Sequence, residues 1–209
     1  MQISYSGARG REKVAVGTRK LRIGLIAEDR TDCDTVAVLI RRIAEVQLGI
    51  DKYSAGGCGM LRRKAERWLA MIADEGGDAA VVIHDLDRNP NNNELNDEVA
   101  LRRRLAEISV PSGLKQLICV PVEELEAWFW ADPAVIERVG RGKGKASASP
   151  HSIARPKEQL QRLSAEVSGK PRYNTNHNEE LARALDLERC ARLCPSFCEL
   201  REFVRGLVI

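Results

Sequence analysis

Short apolar runs alternate with amphipathic segments over the first two thirds of the chain. Bounded apolar runs that are typical of buried strands occur at residues 21–27, 78–83 and 117–120, and a weaker strand is expected at residues 50–54. Apolar residues at helical spacing predict helices at residues 31–48, 60–73 and 94–108, and Asp32 is the expected N-cap of the first of these helices. This alternation predicts an α/β fold with a mostly parallel sheet that helices cover on both faces.

The pattern changes after residue 139 and suggests four parts. Residues 1–20 lack periodicity and are interpreted as a flexible basic leader, and residues 21–139 form the α/β domain. Residues 140–155 are rich in Gly, Ser and Lys and predict a mobile basic loop. Short helical stretches at 157–166, 178–186, 187–193 and 196–207 predict a C-terminal helical appendage, residues 156–209, packed on the α/β domain.

Composition supports a folded protein with a mild charge bias. The 209 residues are 44% hydrophobic but only 4% aromatic, so the core must be mostly aliphatic. The formal net charge of +3 does not by itself identify a nucleic-acid-binding protein, for which a domain pI above ~9 is the usual cue. Basic residues are nevertheless clustered. Either they belong to solvated helix faces or they contact phosphates, and the candidates for phosphate contact are Arg62, Arg63, Arg88, Lys143 and Lys145.

The sequence predicts a cytoplasmic protein without membrane contact. No apolar run resembles a secretory h-region or a transmembrane helix, so the six cysteines are expected to be reduced. Cys190, Cys194 and Cys198 recur every four residues, but Pro195 interrupts their helix and no nearby histidine completes a zinc set. We therefore interpret them as small buried hydrophobic residues.

Acidic residues follow three of the predicted strands. Glu28 follows the first strand, Asp85 and Asp87 follow the central one, and an acidic group at residues 123–126 follows the last. Parallel α/β sheets bind ligands beyond the carboxyl ends of their strands, where these acids would meet. Converging carboxylates need a neutralising partner, and Mg²⁺ with its oxygen ligands is the natural one. Two such ions about 4 Å apart would support phosphodiester chemistry.

Structural alternatives remain open for each acid. An Asp-X-Asp pair at a strand end also serves as a loop cap, and the acids at 123–126 could form the exposed first turn of a helix. His84 precedes the aspartates, and we expect it to face away from them as a core or supporting histidine. Trp68, Trp128 and Trp130 could stack on bases, although such residues more often anchor a core.

Two segments resemble the signature motifs of the Toprim domain. GLIAEDRTD carries a glutamate after the first strand, and VVIHDLDRN carries the later Asp-X-Asp. The rest of the chain resembles a Toprim-like family of bacterial proteins catalogued as domain of unknown function 4276. That likeness lies in PVEELEAWFWAD, SIARPKEQL and RCARLCPSFCELREF, and together the motifs span about residues 21–205. The resemblance implies a Toprim-like, Rossmann-like fold related to the overcoming-lysogenisation-defect nucleases.

The resemblance also implies roles for particular residues. Glu28, Asp85 and Asp87 would hold Mg²⁺ or Mn²⁺ and carry catalysis, with Glu28 also able to act as a general acid or base. Glu124 and Glu126 would serve a second metal, and Lys157 would contact a phosphate or a developing negative charge. Asp32 stands where this motif often has a second acid. One position departs from many Toprim domains, because Asp29 replaces the glycine after the glutamate.

Two functions fit these observations. The first is a Mg²⁺-dependent nuclease acting on DNA or RNA, which the resemblance pairs with an ABC/AAA-type ATPase in anti-phage defence. The alternative is a catalytically inactive Toprim-fold module that docks an ATPase or nucleic acid. Convergence of the Glu28, Asp85 and Asp87 carboxylates would favour catalysis, and ion pairs from Arg30 or Arg88 into that cluster would favour the inactive module. A haloacid dehalogenase-type phosphatase does not fit, because it needs Asp-X-Asp after the first strand, where this chain has AED.

Overall fold

The computed structural model describes residues 19–208, which include a four-stranded parallel sheet. Its strands are β1 (Arg22–Ala27), β2 (Gly49–Ser54), β3 (Ala79–Ile83) and β4 (Lys115–Cys119). The order across the sheet is β2-β1-β3-β4, so the two most apolar strands are hydrogen-bonded neighbours at its centre. The prediction of an α/β, Rossmann-like fold with a parallel sheet is confirmed.

Helices cover both faces of the sheet because successive residues of each strand point to opposite sides. In β1, Leu25 belongs to one apolar cluster and Ile26 to the other. The first face carries α1 (Arg30–Ala44), and the second carries α2 (Cys58–Asp74) and α3 (Glu98–Ala106). Gly24 lets α2 approach closely, since a Cβ atom there would lie 2.2 Å from Cδ1 of Ile72.

The C-terminal part is helical and shares its core with the sheet. It contains a 3₁₀ helix at Leu125–Ala131, followed by α4 (Pro133–Gly140), α5 (Pro156–Leu163), α6 (Asn178–Ala184), α7 (Leu187–Leu193) and α8 (Pro195–Val208). Trp128 and Phe197 pack edge to face in the same apolar cluster as Leu25. None of the helices between residues 19 and 208 combines the length and apolarity of a transmembrane span.

Two of the predicted segments, residues 1–20 and residues 140–155, flank the α/β domain. Residues 1–18 of the predicted leader lie outside the described residues, whereas Arg19 forms an ion pair with Asp78 at 2.7 Å. Within 140–155, the backbone N–H of Ser147 donates to the carbonyl of Trp130 at 2.8 Å, and a 3₁₀ helix spans Pro150–Ser152.

The start of α1 differs from the sequence-based expectation. The N-cap is Asp29, not Asp32, because the Asp29 carboxylate accepts hydrogen bonds from the Asp32 N–H at 3.0 Å and the Thr31 hydroxyl at 2.7 Å. The earlier start places Asp32 inside the first turn, where it is half-buried. Asp29, the residue that departs from the Toprim pattern, therefore has a structural role as a helix cap.

Candidate active site

The carboxyl edge of the sheet brings the predicted acids together. Glu28 directly follows β1, and Asp85 and Asp87 come shortly after the neighbouring strand β3. Beyond Ile83 the chain remains tied to the segment after β4, since the Leu86 N–H donates to the carbonyl of Pro121 at 2.8 Å. Leu86, which separates the two aspartates along the chain, is buried.

These carboxyl groups raise one another's pKa. Burial raises the pKa of Glu28 to about 7, with the charge of Asp87 as the next cause. Burial, followed by the charges of Asp29 and Glu126, raises the pKa of Asp32 to about 8. The pKa of Asp85 lies well above its usual value for the same reasons, namely burial and then the charges of Asp32 and Glu126. Glu28, Asp32, Asp85, Asp87 and Glu126 are named below as the acid cluster.

Two oxygens of the acid cluster are buried without a hydrogen-bond partner: Oε1 of Glu28 and Oδ1 of Asp85. Such atoms are rare, because each buried acceptor left without a donor costs about 1–3 kcal/mol, and more when it is charged. Both belong to groups that follow adjacent central strands. They mark a place where a positively charged partner would be strongly favoured.

His84 lines the same cleft as Asp85 and Asp87, so the expectation that it faces away from the aspartates is wrong, but it is buried against Glu28, as expected of a supporting histidine. Its Nδ1 is 2.9 Å from the carbonyl oxygen of Asp85 and 3.1 Å from Oε1 of Glu28. Since the carbonyl can only accept, Nδ1 carries the proton, and its alignment favours the carbonyl over the carboxylate. Burial lowers the pKa of His84, so the ring is neutral at pH 7 and does not compensate the acid cluster.

The donor chemistry of the acid cluster fits a hard divalent cation. Carboxylate oxygens are what Mg²⁺ prefers, and the partnerless oxygens of Glu28 and Asp85 are suitable ligands. Among the described residues, no three His, Cys, Asp or Glu side chains are placed to hold one ion together. A Mg²⁺ site does not require three, because this ion usually binds one or two carboxylates and keeps several waters.

Neither Arg30 nor Arg88, the two arginines named above as possible neutralising partners, pairs with the acid cluster. Arg30 approaches Asp34 at 3.7 Å, and Arg88 makes a two-pronged ion pair with Glu123. Glu123 is buried and has a left-handed backbone, with φ of 66°. The ion pairs that would favour an inactive module are therefore directed elsewhere.

Lys157 is paired with Glu124. Its ammonium group contacts one carboxylate oxygen of Glu124, and its backbone N–H donates to the other at 3.1 Å. Burial disfavours the charged amine, but Glu124 outweighs burial and raises the pKa of Lys157, which therefore remains a cation. The positive charge also lowers the pKa of Glu28 and Asp87, although burial outweighs it there. Lys157 thus lies within electrostatic reach of the acid cluster.

Glu126 is held by residues that sequence reasoning missed. It is 3% exposed, as is Glu123, so the alternative of an exposed helical turn is wrong. The Asn178 side chain donates to Oε1 of Glu126 at 3.0 Å, and the Tyr173 hydroxyl donates to Asn178 at 2.6 Å. Nothing in the local pattern around Asn178 predicts this contact across 52 positions of sequence.

Asn178 is expected to be essential for stability, because its fully buried amide links Glu126 with Tyr173. The substitution Asn178→Ala should lower the free energy of unfolding by about 1–3 kcal/mol, since it removes the buried donor to Glu126 and the acceptor of the Tyr173 hydroxyl and leaves only the longer contact of 3.4 Å between those two groups. Urea unfolding measures this loss. The matched control is Asn176→Ala, which alters an exposed side chain and should cost less than ~0.5 kcal/mol. Equal losses in the two variants would contradict the proposed network.

The remaining candidate residues are dispersed. Arg62 and Arg63 are exposed on α2, but only Arg62 lines a cleft beside Asp85 and Asp87. Lys143 lines a different cavity in the C-terminal part, and Lys145 is exposed.

The three tryptophans are packed against protein groups. Trp128 donates to the Ser196 hydroxyl at 3.1 Å, Trp130 donates to a backbone carbonyl at 3.2 Å, and Trp68 lies beside Tyr53. Cys190 and Cys194 are buried in the core, as expected, and Cys198 is half-buried.

Fold and site together define an α/β protein with a partly buried carboxylate cluster at the carboxyl edge of a parallel sheet. The chain belongs to the family described as Domain of unknown function (DUF4276), whose model matches residues 27–205. The predicted membership of that family is confirmed. The match does not extend to a relationship with Toprim domains. Neither the curated proteins nor the solved structures contain a significant match to the chain.

Proposed function

We propose that the protein is a cytoplasmic, Mg²⁺-dependent nuclease of the Toprim type that hydrolyses phosphodiester bonds in DNA or RNA. The observation that carries the proposal is the pair of buried, partnerless oxygens on Glu28 and Asp85 at the ends of two adjacent strands. A site that concentrates negative charge and leaves these two oxygens without a hydrogen-bond donor is suited to a divalent ion. Divalent ions in turn are suited to the negatively charged phosphodiester.

Glu28 and Asp85 would hold the ion, and Asp87 would complete the ligand set with water. Bound Mg²⁺ polarises phosphoryl oxygens and lowers the pKa of a coordinated water. Asp87 is exposed, whereas Asp85 is half-buried, so Asp87 stands where solvent and substrate enter. The aspartates thus differ in role, with Asp85 anchoring from within and Asp87 facing the substrate.

Other residues would position the reacting groups. In the alternative arrangement, in which the aspartates hold the ion without Glu28, a Glu28 carboxyl group with a pKa of about 7 would exchange protons readily at neutral pH and so suit general acid–base work. His84 restricts the Glu28 carboxylate from one side at 3.1 Å. Lys157 keeps its charge close to the acid cluster and would stabilise negative charge that develops on the phosphate.

The proposal includes an ABC/AAA-type ATPase as a partner in anti-phage defence. A net charge of +3 gives weak general attraction for nucleic acid, so a partner that recruits or gates the substrate suits this chain.

A binding module without catalysis is the second candidate, favoured by one observation. The described residues place no three ligands around a single point, in contrast to a preformed catalytic centre. In that case the acid cluster would serve docking of the ATPase or of nucleic acid. Cleavage assays separate the two candidates.

The test is cleavage of labelled plasmid, single-stranded DNA and RNA by the purified protein in Mg²⁺, Mn²⁺ or EDTA. We expect metal-dependent cutting that is lost in the double variant Asp85→Asn/Asp87→Asn. The control is Asp97→Asn, which removes an acid outside the cluster while keeping a good helix N-cap. Each reaction is repeated with an added ABC/AAA-type ATPase where one is encoded beside the gene. Absence of metal-dependent cutting under all these conditions, or equal cutting by the double variant, would overturn the proposed nuclease.

A further inference from the structure

We propose that Arg62 and Arg104 bind the phosphodiester backbone of a nucleic-acid strand in the cleft beside Asp85 and Asp87. The inference rests on the proposed function in one respect, namely that the strand bound there is the one cut. It adds a binding surface and a direction of approach that the acid cluster alone does not define.

The cleft lies between two helices on the same face of the sheet. Arg62 comes from α2 and Arg104 from α3, and His84, Asp85 and Asp87 line the cleft between them. Its volume is about 240 Å³. One water needs only ~10–15 Å³ by the same measure, so the cleft has room for a large solvated group.

Both arginines are free to bind a ligand. Among the described residues, Arg62 has no ion-pair partner, and Arg104 makes only one hydrogen bond, to the carbonyl of Ala100 at 3.3 Å. The nearby Arg102 shows the contrasting arrangement, because it is paired with Glu98 and Glu199. A guanidinium group without an acidic partner presents a fork of donors that matches phosphate oxygens.

The two sides of Asp87 differ in charge. A second cleft of about 220 Å³ also includes Asp87, but its lining contains Glu123, Glu124 and Glu158. The arginines of that second cleft are already occupied, Arg88 by Glu123 and Arg155 by Asn93. A phosphate therefore meets less excess negative charge on the Arg62 and Arg104 side of Asp87 than on the other side.

A strand fits this cleft better than a single phosphate does. The two guanidinium groups come from different helices, so they can contact separate phosphates of one backbone. A phosphodiester placed between them also lies next to Asp85 and Asp87, where the proposed chemistry occurs. Backbone contacts of this kind bind DNA and RNA alike and weaken as salt increases.

The chain provides matched controls one residue away. Arg63 and Arg103 are exposed arginines on the same two helices, but they do not line the cleft. The pair Arg62→Gln/Arg104→Gln and the pair Arg63→Gln/Arg103→Gln therefore change the net charge equally. A difference in nucleic-acid affinity between the two variants therefore reflects the positions of the arginines and not the change in net charge.

The experiment measures binding of fluorescein-labelled single-stranded DNA, single-stranded RNA and duplex DNA by anisotropy in EDTA over a series of salt concentrations. The cleft variant should bind at least about tenfold more weakly, and its salt slope should fall by about 1.4, as expected for two lost single-strand phosphate contacts. The control variant should stay within about twofold of the wild type, since it loses general attraction only. Equal weakening of both variants, or no measurable binding by the wild type, would overturn the proposed surface.

Cleavage kinetics in Mg²⁺ distinguish failure of this inference from failure of the proposed function. If the wild type cuts and both double-arginine variants cut with the same kcat/KM, the surface is wrong and the nuclease stands. If the cleft variant loses binding but the wild type never cuts, the surface stands as that of a binding module. The three nucleic-acid probes then identify which strand the cleft accepts.

Discussion

Replacing Asp85 with asparagine should abolish Mg²⁺-dependent cleavage and at the same time stabilise the protein in EDTA. The carboxyl group of Asp85 has a pKa well above its usual value because it is buried among other acids. At pH 8 the folded protein must either bury the charged carboxylate of Asp85 or keep this carboxyl group protonated at a pH where a free one is ionised. Both cost free energy. The neutral amide avoids that cost but is a much poorer ligand for Mg²⁺.

The two effects are large enough to measure separately. Loss of several kcal/mol of transition-state stabilisation would lower the cleavage rate on the order of 10³-fold. Removal of the buried acid should stabilise the protein in EDTA and raise its Tm, by ~2–4 °C for each kcal/mol of stability gained in a chain of this size. Differential scanning fluorimetry with and without Mg²⁺ measures the second effect. Mg²⁺ should raise the Tm of the wild type and leave that of Asp85→Asn unchanged.

The control for this experiment is Asp97→Asn, because asparagine caps a helix about as well as aspartate does. Its Tm and its response to Mg²⁺ should match the wild type. A lower Tm for Asp85→Asn in EDTA would show that Asp85 is a structural acid stabilised by its surroundings. That result would contradict the interpretation of the cluster as a cation site.

Stability should fall as pH rises from about 5 to 8 in EDTA. Glu28 has its pKa raised from 4.5 to about 7, and Asp32 from 3.8 to about 8. An acid with a raised pKa binds its proton more tightly in the folded protein. At a pH between the pKa of the acid in the unfolded protein and its pKa in the folded protein, the folded state therefore holds more protons than the unfolded one. The free energy of unfolding therefore decreases with pH across this window, by on the order of 3 kcal/mol for Glu28 alone.

Urea unfolding at several pH values measures this slope, with Glu28→Gln as the comparison. The variant should lose less stability between pH 5 and 8, because one of the responsible groups no longer titrates. His84 acts in the opposite direction, since its lowered pKa favours the folded state as pH rises, but it is present in both proteins. Saturating Mg²⁺ should flatten the wild-type profile. A slope equal to that of Glu28→Gln would contradict the pKa assigned to Glu28.

The sheet and the acids at its edge could be predicted because their signals are local. The run at 79–83 is entirely apolar and becomes a strand whose five residues are all buried. Once β1 and β3 are assigned as parallel strands, the sequence itself places Glu28 and Asp85 at one edge. The start of α4, which is not among the predicted helices, also has a local signal, because Asp132 caps the helix and Pro133 occupies its first turn.

The parts that escaped prediction depend on contacts between distant segments. Asn178 reaches Glu126 across 52 positions, and Lys157 reaches Glu124 across 33. No periodicity or spacing encodes such a pair. The pairing of Arg88 with Glu123 is similar, since the sequence shows only an exposed-looking arginine after the aspartates. The cleft between Arg62 and Arg104 likewise exists only once α2 and α3 lie on one face.

Direct measurement of Mn²⁺ binding tests the central claim, because Mn²⁺ accepts the same oxygen ligands as Mg²⁺ and is visible by electron paramagnetic resonance. Titrations compare the wild type with Glu28→Gln, Asp85→Asn and the control Asp97→Asn. We predict that the wild type and the control bind the ion equally, and that each cluster variant binds it at least about tenfold more weakly, because a charged ligand has been lost. Equal binding by all four proteins, or none by the wild type, would contradict a cation site at Glu28 and Asp85.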